Sequence, residues 1–501
     1  MNTTLTSNIH SVVIGAGFAG IATALRLRAL GHEVTVIERL DQIGGRARTF
    51  NKGGYKHDAG PTVITAPFLF RELFQLFDEN FDKHIELIHL DPYYRFYFSE
   101  TREEFDYRAD VKATQTEIAR FSKEDAESYN DLLAASHAIY NVGFKKLVHR
   151  PFNKLSLMVA QIPALIKLKC YQTVWQMVSS YLKHPLIRKA FTIHPLLIGG
   201  NPFKTTAIYS LIHYLERKWG VFFCKGGTSK LVFEFEKLML RQGIRILKNA
   251  DVLQINHNKK QAYSLTLASS EIIKADNFVY AGDPETCYKE LLNEHGVASF
   301  YHSKMKYSMG LYVLYFGTKK NYNKVAHHTI WMGQKYKSLL RDIFDKKILN
   351  NDFSLYLHRP TATDKSFAPD NCDSFYVLCP VPNLQGNHNW DTEGKHLSES
   401  IIKALEETIL PELSSVIESV FWMTPDDFKK DYRSMHGAGF SIEPTLTQSA
   451  WFRHHNRHKH IKNLYFAGAG THPGAGLPGV VSSAKVVQEL ITGQEVGSGD
   501  P

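Results

Sequence analysis

The stretch Val12-Val13-Ile14-Gly15-Ala16-Gly17-Phe18-Ala19-Gly20 opens the first structural unit of the chain. Its apolar start predicts a short buried strand, and its three glycines predict a tight turn that leads into a helix. The helix carries apolar residues at helical spacing and is predicted to stop at Gly31. A β-branched run, residues 34–37, follows and ends in Glu38. This order of strand, glycine turn, helix and strand predicts a βαβ unit.

Each glycine in the motif Gly15-x-Gly17-x-x-Gly20 has its own physical role. Gly15 permits the tight turn, Gly17 lets the backbone approach a pyrophosphate, and Gly20 lets the helix pack closely on the strand. The free N–H groups at the start of the helix add hydrogen bonds and partial positive charge for phosphate. Glu38 follows at the distance where a carboxylate accepts hydrogen bonds from a ribose. We interpret the unit as a dinucleotide site, with a purely structural glycine turn as the alternative.

A second glycine loop distinguishes a flavin from a nicotinamide dinucleotide. Residues 467–480 read Ala467-Gly468-Ala469-Gly470-Thr471-His472-Pro473-Gly474-Ala475-Gly476-Leu477-Pro478-Gly479-Val480 and lead into a helix predicted to begin near Val480. A flavin bound lengthwise needs one site for its pyrophosphate and another for its ring and ribityl chain. Arg46, in Gly44-Gly45-Arg46, adds a planar set of donors for phosphate. The sequence therefore predicts FAD as the cofactor.

Strand and helix patterns divide the 501 residues into about three domains. Strands near both ends of the chain, at 12–14, 34–37, 277–280 and 464–467, indicate one α/β domain assembled from separate segments. An aromatic strand at 93–98, strands at 311–317 and 375–378 and a helix over 397–410 indicate a mixed-sheet domain. The fold class is α/β: a Rossmann-like FAD-binding domain (1–89, 220–295 and 431–501), a mixed-sheet substrate domain (90–115 and 296–430) and a helical, basic, membrane-associating domain (116–219).

Charge is distributed unevenly along the chain. The sequence holds 59 Lys and Arg and 50 Asp and Glu, a net charge of +9. Between Leu132 and Leu215 there is no acidic residue, and ten basic residues lie in the same segment: Lys145, Lys146, Arg150, Lys154, Lys167, Lys169, Lys183, Arg188, Lys189 and Lys204. The rest of the chain is therefore close to neutral. Such a basic segment suits nucleic acid or an anionic membrane surface.

Apolar residues interleaved with the basic ones favour the membrane surface. Residues 155–166 place Leu, Met, Val and Ile at helical spacing, with lysines on both sides, as in helices that lie in a membrane interface. Pro163 is expected to kink this helix or to restart it. No apolar run reaches roughly 18 residues, so we expect monotopic association and no membrane-spanning helix. We expect no nucleic-acid partner.

The cysteines and the N-terminus indicate the compartment. The five cysteines are scattered without a CxxC pair, which argues against a disulfide framework or a zinc site. The polar first residues show no secretory signal. We therefore expect a peripheral protein on the cytoplasmic side of a membrane.

Longer motifs carry a resemblance to a known family. They are Val36-Ile37-Glu38, Gly44-Gly45-Arg46-Ala47, Asp58-Ala59-Gly60-Pro61-Thr62, Trp219-Gly220-Val221, Lys225-Gly226-Gly227, Phe440-Ser441-Ile442-Glu443-Pro444, Leu446-Thr447-Gln448-Ser449-Ala450-Trp451-Phe452-Arg453 and Gly468-Ala469-Gly470-Thr471-His472-Pro473-Gly474-Ala475-Gly476-Leu477-Pro478-Gly479. Over nearly its whole length the sequence resembles the bacterial phytoene desaturase type of carotenoid desaturase, within the amine-oxidase-like FAD superfamily. Many flavoenzymes hold the ribityl chain with an acid after the last strand. The resembling family has none, and Ala469 stands there in this chain.

The glycine loops and the resemblance together imply a set of cofactor-binding residues. They are Gly15, Ala16, Gly17, Phe18, Ala19, Glu38, Arg39, Gly45, Arg46, Gly60, Pro61, Thr62, Val252, Gly468, Ala469, Gly479 and Val480.

The resemblance also implies a reaction. An acyclic carotenoid end would lose two hydrogens from adjacent carbons, by phytoene-type desaturation or by 3,4-desaturation of a 1-hydroxylated carotenoid. One hydrogen can leave as hydride to flavin N5, and the polyene delocalises the cation, so the protein positions the substrate and excludes water. The other hydrogen leaves as a proton. Glu443 and His472 adjoin the flavin-loop motifs and are the candidates for its acceptor, with a structural role as the alternative for each.

The run Arg453-His454-His455-Asn456-Arg457-His458-Lys459-His460 contains two histidines at i, i+4 spacing, which invites a metal interpretation. Its arginines and lysine would repel a cation. We interpret the run as a solvated basic loop and predict no metal site.

Two other functions fit the same fold. A polyene isomerase or saturase would use reduced flavin, and a prenyl carrier would bind prenyl groups without redox chemistry. The two intact glycine loops, residues 15–20 and 468–479, argue against the carrier.

Overall fold

The computed structural model describes residues 9–293 and 305–501, so the expected domain boundary between residues 295 and 296 lies outside the described residues. The strands are β1 (His10–Ile14), β2 (Glu33–Ile37), β3 (Thr49–Lys52), β4 (Tyr55–Asp58), β5 (Leu87–His89), β6 (Tyr94–Phe98), β7 (Glu103–Tyr107), β8 (Phe222–Cys224), β9 (Arg245–Leu247), β10 (Val252–His257), β11 (Ala262–Leu267), β12 (Ile272–Lys274), β13 (Asn277–Tyr280), β14 (Gly310–Thr318), β15 (His328–Met332), β16 (Leu355–His358), β17 (Asp373–Val381), β18 (Ile417–Met423) and β19 (Leu464–Phe466).

The described α-helices are α1 (Phe18–Ala29), α2 (Phe68–Gln75), α3 (Val111–Ala119), α4 (Lys123–Val142), α5 (Leu155–Lys167), α6 (Val174–Tyr181), α7 (Pro185–Phe191), α8 (Leu211–Trp219), α9 (Thr228–Arg241), α10 (Pro284–Thr286), α11 (Tyr336–Arg341), α12 (Trp390–Glu406), α13 (Leu413–Val416), α14 (Pro425–Tyr432) and α15 (Leu477–Thr492). Short turns of 3₁₀- or π-helix lie between them, including Gly45–Ala47, Gly143–Leu147 and His194–Ile198.

Five parallel strands form the first sheet, in the order β19-β13-β1-β2-β9. Val13 faces a core that it shares with residues of α1, α9 and α15. Val12 and Ile14 face the opposite core, which contains residues of the three-stranded sheet β10-β11-β12. Because β1 is covered on both faces, it reads as a continuous apolar run and not as an alternating one. The prediction that strands from both ends of the chain share one α/β sheet is confirmed.

Two glycine turns bring α1 and α15 against the sheet in the same way. A Cβ atom on Gly20 would lie 1.9 Å from the carbonyl oxygen of Gly15, and a Cβ atom on Gly479 would lie 2.6 Å from that of Gly474. Gly15 and Gly474, with φ of 98° and 132°, adopt the left-handed backbone that favours glycine. The first turn of each helix therefore packs on the turn before it at a distance that only glycine permits.

Seven strands form the second sheet, in the order β18-β14-β17-β16-β15-β6-β7. β15 runs parallel to β6, and the other neighbours are antiparallel. The predicted strands at 93–98, 311–317 and 375–378 lie in β6, β14 and β17, so the expected mixed sheet is confirmed. One core joins this sheet to the helices of residues 111–219, for example Phe96 and Val313 with Leu132 and Ile187.

Two predicted helix boundaries are wrong. The helix expected over 397–410 is α12, which begins at Trp390 because the side chain of Asn389 caps it by accepting the Asp391 N–H (3.1 Å). The helix expected near Val480 is α15, which begins at Leu477 and carries Pro478 in its first turn. The helical segment begins at Val111, before residue 116, and the three-domain division itself stays a prediction.

Helix α5 presents two different faces. It continues across Pro163, so the helix does not restart there, and the kink stays a prediction. The missing N–H would have bonded to the carbonyl of Val159, a residue that is 53% exposed, where water can take its place. The exposed apolar side chains lie at helical spacing: Leu155, Val159, Ile162 and Ile166. In the described part of the chain no helix combines the length and apolarity needed to cross a bilayer.

Acidic residues from outside the basic segment neutralise part of it. Lys145 pairs with Asp500 (3.2 Å) and Lys189 with Glu100 (2.6 Å). Arg150 pairs with Glu495 and Lys204 with Asp345. Around α5, Lys154, Lys167 and Lys169 are exposed and have no ion pair among the described residues. Lys146, Lys183 and Arg188 also lack an ion pair among the described residues, so three of the six unpaired bases flank the apolar face of α5.

Replacement of Gly20 tests the close contact between α1 and its turn. Gly20→Ala places a methyl group on the Gly15 carbonyl, so the backbone must shift, and we expect a loss of about 1–3 kcal/mol in unfolding free energy. Gly497→Ala is the control, because a Cβ there meets nothing within 4 Å. Thermal or urea unfolding measures both. Equal stability of the two variants would contradict the role given to Gly20.

Candidate active site

A cavity of about 540 Å³ extends from the parallel sheet to α5. Charged residues line the end near the parallel sheet, among them Glu38, Arg39, Arg46, Asp251 and Arg433. The lining from the mixed sheet and the helical segment is mainly apolar: Met158, Leu165, Leu196, Leu197, Ile198, Ile208, Leu211, Ile212, Leu215, Leu311, Val313, Leu378, Phe440 and Leu446. The cavity thus joins a polar end to an apolar one.

All the residues predicted to bind the cofactor, except Ala16, line this one cavity. The N–H of Ala16 donates to one carboxylate oxygen of Glu38 (2.9 Å), and the N–H of Leu40 donates to the other (2.9 Å). These two bonds fix the carboxylate at the carboxyl end of β2. Each oxygen keeps a further lone pair, so Glu38 can still accept a bond from a ribose hydroxyl.

Backbone geometry shows that the polar end fits FAD. A Cβ atom on Gly17 would meet only the carbonyl oxygen of Gly44, at 4.0 Å, so the backbone of Gly17 borders the space where a pyrophosphate would lie. The N-termini of α1 and α15 both reach this cavity, and their first N–H groups have no partner within the helix. One helix can bind the pyrophosphate and the other the flavin ring.

Arg46 is the cation best placed for a phosphate. One of its terminal nitrogens donates to the hydroxyl of Ser434 (2.6 Å), while its Nε has no acceptor among the described residues. Burial lowers its pKa, and the nearby carboxylate of Asp283 opposes that shift. Burial in turn raises the pKa of Asp283 to about 6. An unmatched buried donor beside the glycine turn is expected of a group that binds an anion.

Loop 60–62 joins the two ends of the cavity. The Thr62 hydroxyl lies 2.9 Å from the hydroxyl of Tyr356 and 3.1 Å from that of Tyr376. Tyr376 in turn donates to the carbonyl of Gly60 (2.9 Å). Strands β16 and β17 of the mixed sheet thereby hold a loop that follows β4.

The two candidate proton acceptors occupy different surroundings. Glu443 is 2% exposed and is not part of the cavity lining; burial raises its pKa to about 7. His472 lines the cavity, and burial lowers its pKa to about 4, so its ring is neutral. Its Nε2 donates to the carbonyl of Leu147 (2.9 Å), which leaves Nδ1 unmatched among the described residues.

Most of the basic run at 453–460 is not solvated, so that expectation is wrong for all but Lys459 and His460, which are exposed. Arg453, His454, Asn456 and His458 are all buried. The guanidinium of Arg453 donates to the carbonyls of Thr471, Gln448, Ile442 and Ala469. A charged fork that bonds to four carbonyls is stable inside the protein, and here it fixes the C-terminal glycine loop. Arg453 therefore helps to fix the conformation of the cofactor loop.

A carboxylate and a histidine that the sequence analysis missed lie in the apolar part of the lining. Glu216 accepts a hydrogen bond from the hydroxyl of Tyr94 (2.8 Å), and its other oxygen lies 2.9 Å from Nε2 of His194. All three residues line the cavity, and Glu216 is 1% exposed. The residues come from β6, the turn His194–Ile198 and α8. The only sequence signal is a glutamate on the apolar face of α8.

Three buried histidines also lie together: His327, His328 and His358. Their ligand atoms lie within 4.8 Å of one another, whereas nitrogens around a tetrahedral zinc ion are about 3.4 Å apart. Nδ1 of His327 bonds to Thr363 (2.6 Å) and Nδ1 of His328 to Tyr356 (2.7 Å). The arrangement is wider than a zinc site, and the absence of a metal site stays a prediction.

Comparison with known proteins identifies the family of this chain. Residues 18–487 match the family described as flavin containing amine oxidoreductase. The chain belongs to this family. It is 42% identical to a lycopene-forming phytoene desaturase from Paracoccus sp. (strain N81106 / MBIC 01143), covering 97% of this chain and 98% of the relative. It is 38% identical to a neurosporene-forming phytoene desaturase from Rhodobacter capsulatus, covering 96% and 94%.

Solved structures of other proteins have the same overall fold as this chain. An oxidoreductase from Methanosarcina mazei superposes with a TM-score of 0.65 at 15% identity, covering 96% of this chain and all of that one (100%). The predicted amine-oxidase-like fold, the flavin cofactor and the resemblance to phytoene desaturases are therefore confirmed.

Substitution at Gly17 tests the cofactor site without disturbing the fold. Gly17 has φ of −73°, which any residue adopts, and its Cβ would project into open space. We expect Gly17→Val to lose bound FAD while its apoprotein unfolds at the temperature of the wild-type apoprotein. Flavin absorbance of the purified variant measures the first result, and thermal unfolding of both apoproteins measures the second. Wild-type FAD affinity in this variant would mean that the pyrophosphate binds elsewhere.

Proposed function

We propose that the protein is an FAD-dependent carotenoid desaturase that removes two hydrogens from adjacent carbons of an acyclic carotenoid end. The observation that carries the proposal is the single cavity, because its polar end fits a dinucleotide and its apolar end fits a hydrocarbon chain. The full-length similarity to phytoene desaturases supports the substrate class. The residues predicted to bind the cofactor are the ones we assign to FAD.

The chain's own residues bind, orient and keep water out. Bound FAD supplies the acceptor for two electrons and one hydrogen. The N-terminus of α1 and the guanidinium of Arg46 would bind the pyrophosphate, and the N-terminus of α15 would stabilise the negative charge that the ring gains on reduction. The apolar lining from Leu196 to Leu215 would hold the polyene. Exclusion of water protects the delocalised cation.

Among related activities, desaturation fits best. A prenyl carrier has no use for two helix N-termini that face one cavity, since a hydrocarbon offers them no anion. An isomerase or saturase would need the same cofactor site, so it remains the alternative that only product analysis excludes. Relatives with different named products, lycopene and neurosporene, share similar identity with this chain. The number of desaturation steps is therefore left to the assay.

Conversion of phytoene tests the proposed reaction. Purified holoenzyme mixed with phytoene in liposomes without oxygen should bleach its flavin absorbance and form a more conjugated carotenoid, detected by chromatography. A parallel reaction with a 1-hydroxylated carotenoid distinguishes the two desaturation types. Isomerised or saturated products, or no change with either substrate, would contradict the proposal.

We further propose that the protein binds the cytoplasmic surface of a membrane through α5. One face of this helix, with Met158, Gln161 and Leu165, lines the cavity. The other face exposes Leu155, Val159, Ile162 and Ile166, at 53%, 53%, 43% and 59%. Exposed lysines stand at both ends of this apolar face, as expected for a helix that lies in an anionic interface. A carotenoid could then pass from lipid to cavity beside α5.

Two sets of α5 variants test the membrane contact. Lys145 is ion-paired and Met158 lines the cavity, so the informative residues are the three free lysines and the four exposed apolar side chains. Lys154, Lys167 and Lys169 replaced by Gln should weaken binding to anionic vesicles, since each base contributes about 1 kcal/mol. Leu155, Val159, Ile162 and Ile166 replaced by Ser should weaken binding to neutral vesicles at least about 10²-fold, since full burial of one such side chain contributes about 1.5–3 kcal/mol.

The control replaces Leu253, Tyr263 and Ile272 by Ser, because these residues are 51%, 55% and 61% exposed on another sheet. Vesicle flotation measures binding, and flavin absorbance checks the cofactor. Unchanged binding of both α5 variants, or equal loss in the control, would exclude α5 as the membrane contact.

A further inference from the structure

We propose that His194, oriented by Glu216, accepts the proton that the carotenoid loses during desaturation. The inference deepens the proposed function and rests on it. It names a catalytic residue, His194, and a positioning residue, Glu216, that acts through it.

The geometry assigns a different role to each nitrogen of His194. Nε2 lies 2.9 Å from a carboxylate oxygen of Glu216 and donates its proton to it. In this tautomer Nδ1 carries the lone pair of the ring, and it is buried without a hydrogen-bond partner among the described residues. The His194 ring belongs to the cavity lining. A base with its proton-accepting nitrogen free and its other nitrogen fixed is ready to accept a proton.

Two hydrogen-bond donors fix the carboxyl group of Glu216. Tyr94 donates to one of its oxygens (2.8 Å) and His194 to the other. Burial and the neighbouring carboxylate raise the pKa of Tyr94 well above its usual value, so this hydroxyl keeps its proton and remains a donor. When His194 takes up a proton, the adjacent carboxylate stabilises the imidazolium, as a buried carboxylate does in other acid–base pairs.

The surroundings make this pair unusual. The cavity wall around it is apolar, with Leu196, Ile198, Leu211 and Leu215 close along the chain. A polyene hydrocarbon offers only C–H bonds, so it cannot satisfy a carboxylate or an imidazole nitrogen. Buried ionisable groups in an apolar site are unfavourable unless they have a function there. Glu443 lies outside the lining. His472 also lines the cavity with its Nδ1 unmatched, but its Nε2 bonds to the Leu147 carbonyl, so it has no carboxylate to stabilise an imidazolium.

The proton step balances with the oxidation. The carbon next to the oxidised carbon loses its hydrogen as a proton, and the electron pair of that C–H bond becomes the new π bond. The proton forms an N–H bond at Nδ1 of His194. The other hydrogen and its two electrons go to the flavin, as the proposed function requires. The imidazolium returns the proton to water after the product leaves.

Conservative variants test the two roles in the holoenzyme. His194→Gln keeps the size and polarity but has no basic nitrogen, and it should lower the rate of flavin reduction by carotenoid about 10²–10⁴-fold with KM nearly unchanged. Glu216→Gln removes the charge that stabilises the imidazolium and can favour the wrong ring tautomer, so a loss of similar size is expected. Bound FAD and the melting temperature check that both variants are folded.

Two controls and a rescue separate catalysis from structure. His213→Gln alters a buried histidine whose ring lies 4.3 Å from that of His194 but which is not part of the cavity lining, and Glu443→Gln alters a buried carboxylate elsewhere. Both should retain flavin reduction within about 3-fold, well short of the loss expected for a missing base. Added imidazole should restore part of the rate of His194→Gly and should not affect His213→Gly.

Three results would overturn the inference. The first is a wild-type rate of flavin reduction in His194→Gln. The second is a change confined to KM, because His194 and Glu216 would then bind a hydroxylated substrate and not accept a proton. The third is no imidazole rescue in a folded His194→Gly that retains FAD. The proposed function fails differently, because wild-type protein itself would then not be reduced by any carotenoid.

Discussion

The close contact between a glycine in the first turn of a helix and the carbonyl of an earlier glycine determines where this protein can bind its cofactor. It occurs twice with the same spacing, between Gly15 and Gly20 and between Gly474 and Gly479. Each contact holds the N-terminus of a helix, α1 or α15, at the same cavity. Two helix N-termini at one cavity create partial positive charge at separated points. A ligand with one anionic group could use one of them, whereas a flavin dinucleotide can use both.

Much of the fold could be predicted because local chemistry determines it. The apolar run of β1, the β-branched run of β2 and the glycine turn between them show their structure without tertiary contacts. Boundaries that depend on one capping side chain were predicted less well, as at Asn389 before α12. The sequence predicts a kink or a restart at Pro163, and α5 does not restart there because the unpaired carbonyl lies at an exposed residue. A rule drawn from the local sequence gives the free-energy cost of an unpaired backbone group, and solvent exposure determines whether water can offset that cost.

The residues of the candidate site also differ in how well the sequence predicts them. Cofactor residues were predictable because they lie in contiguous glycine motifs, and all except Ala16 line the cavity. Glu216 and His194 were not predictable, because their pairing depends on how α8 packs beside the turn His194–Ile198. The run at 453–460 was misinterpreted for a related reason. Its charge suggested solvent, whereas four carbonyl acceptors supplied by other segments make burial of Arg453 possible.

As the proposed membrane contact, helix α5 would lie between the lipid and the cavity. A substrate that dissolves in lipid and reacts in a dry cavity must pass from one apolar phase to the other without crossing water, because exposing its length to water is strongly unfavourable. A helix whose inner face is cavity wall and whose outer face is exposed and apolar meets that requirement with a single element. The proposed contact also fits part of the charge distribution. Four bases of the basic segment, among them Lys145 and Lys189, pair with acids of other segments, while the lysines beside the apolar face of α5 have no ion pair among the described residues. Lysines that attract an anionic surface strengthen membrane binding most where an adjacent apolar face can insert into the lipid.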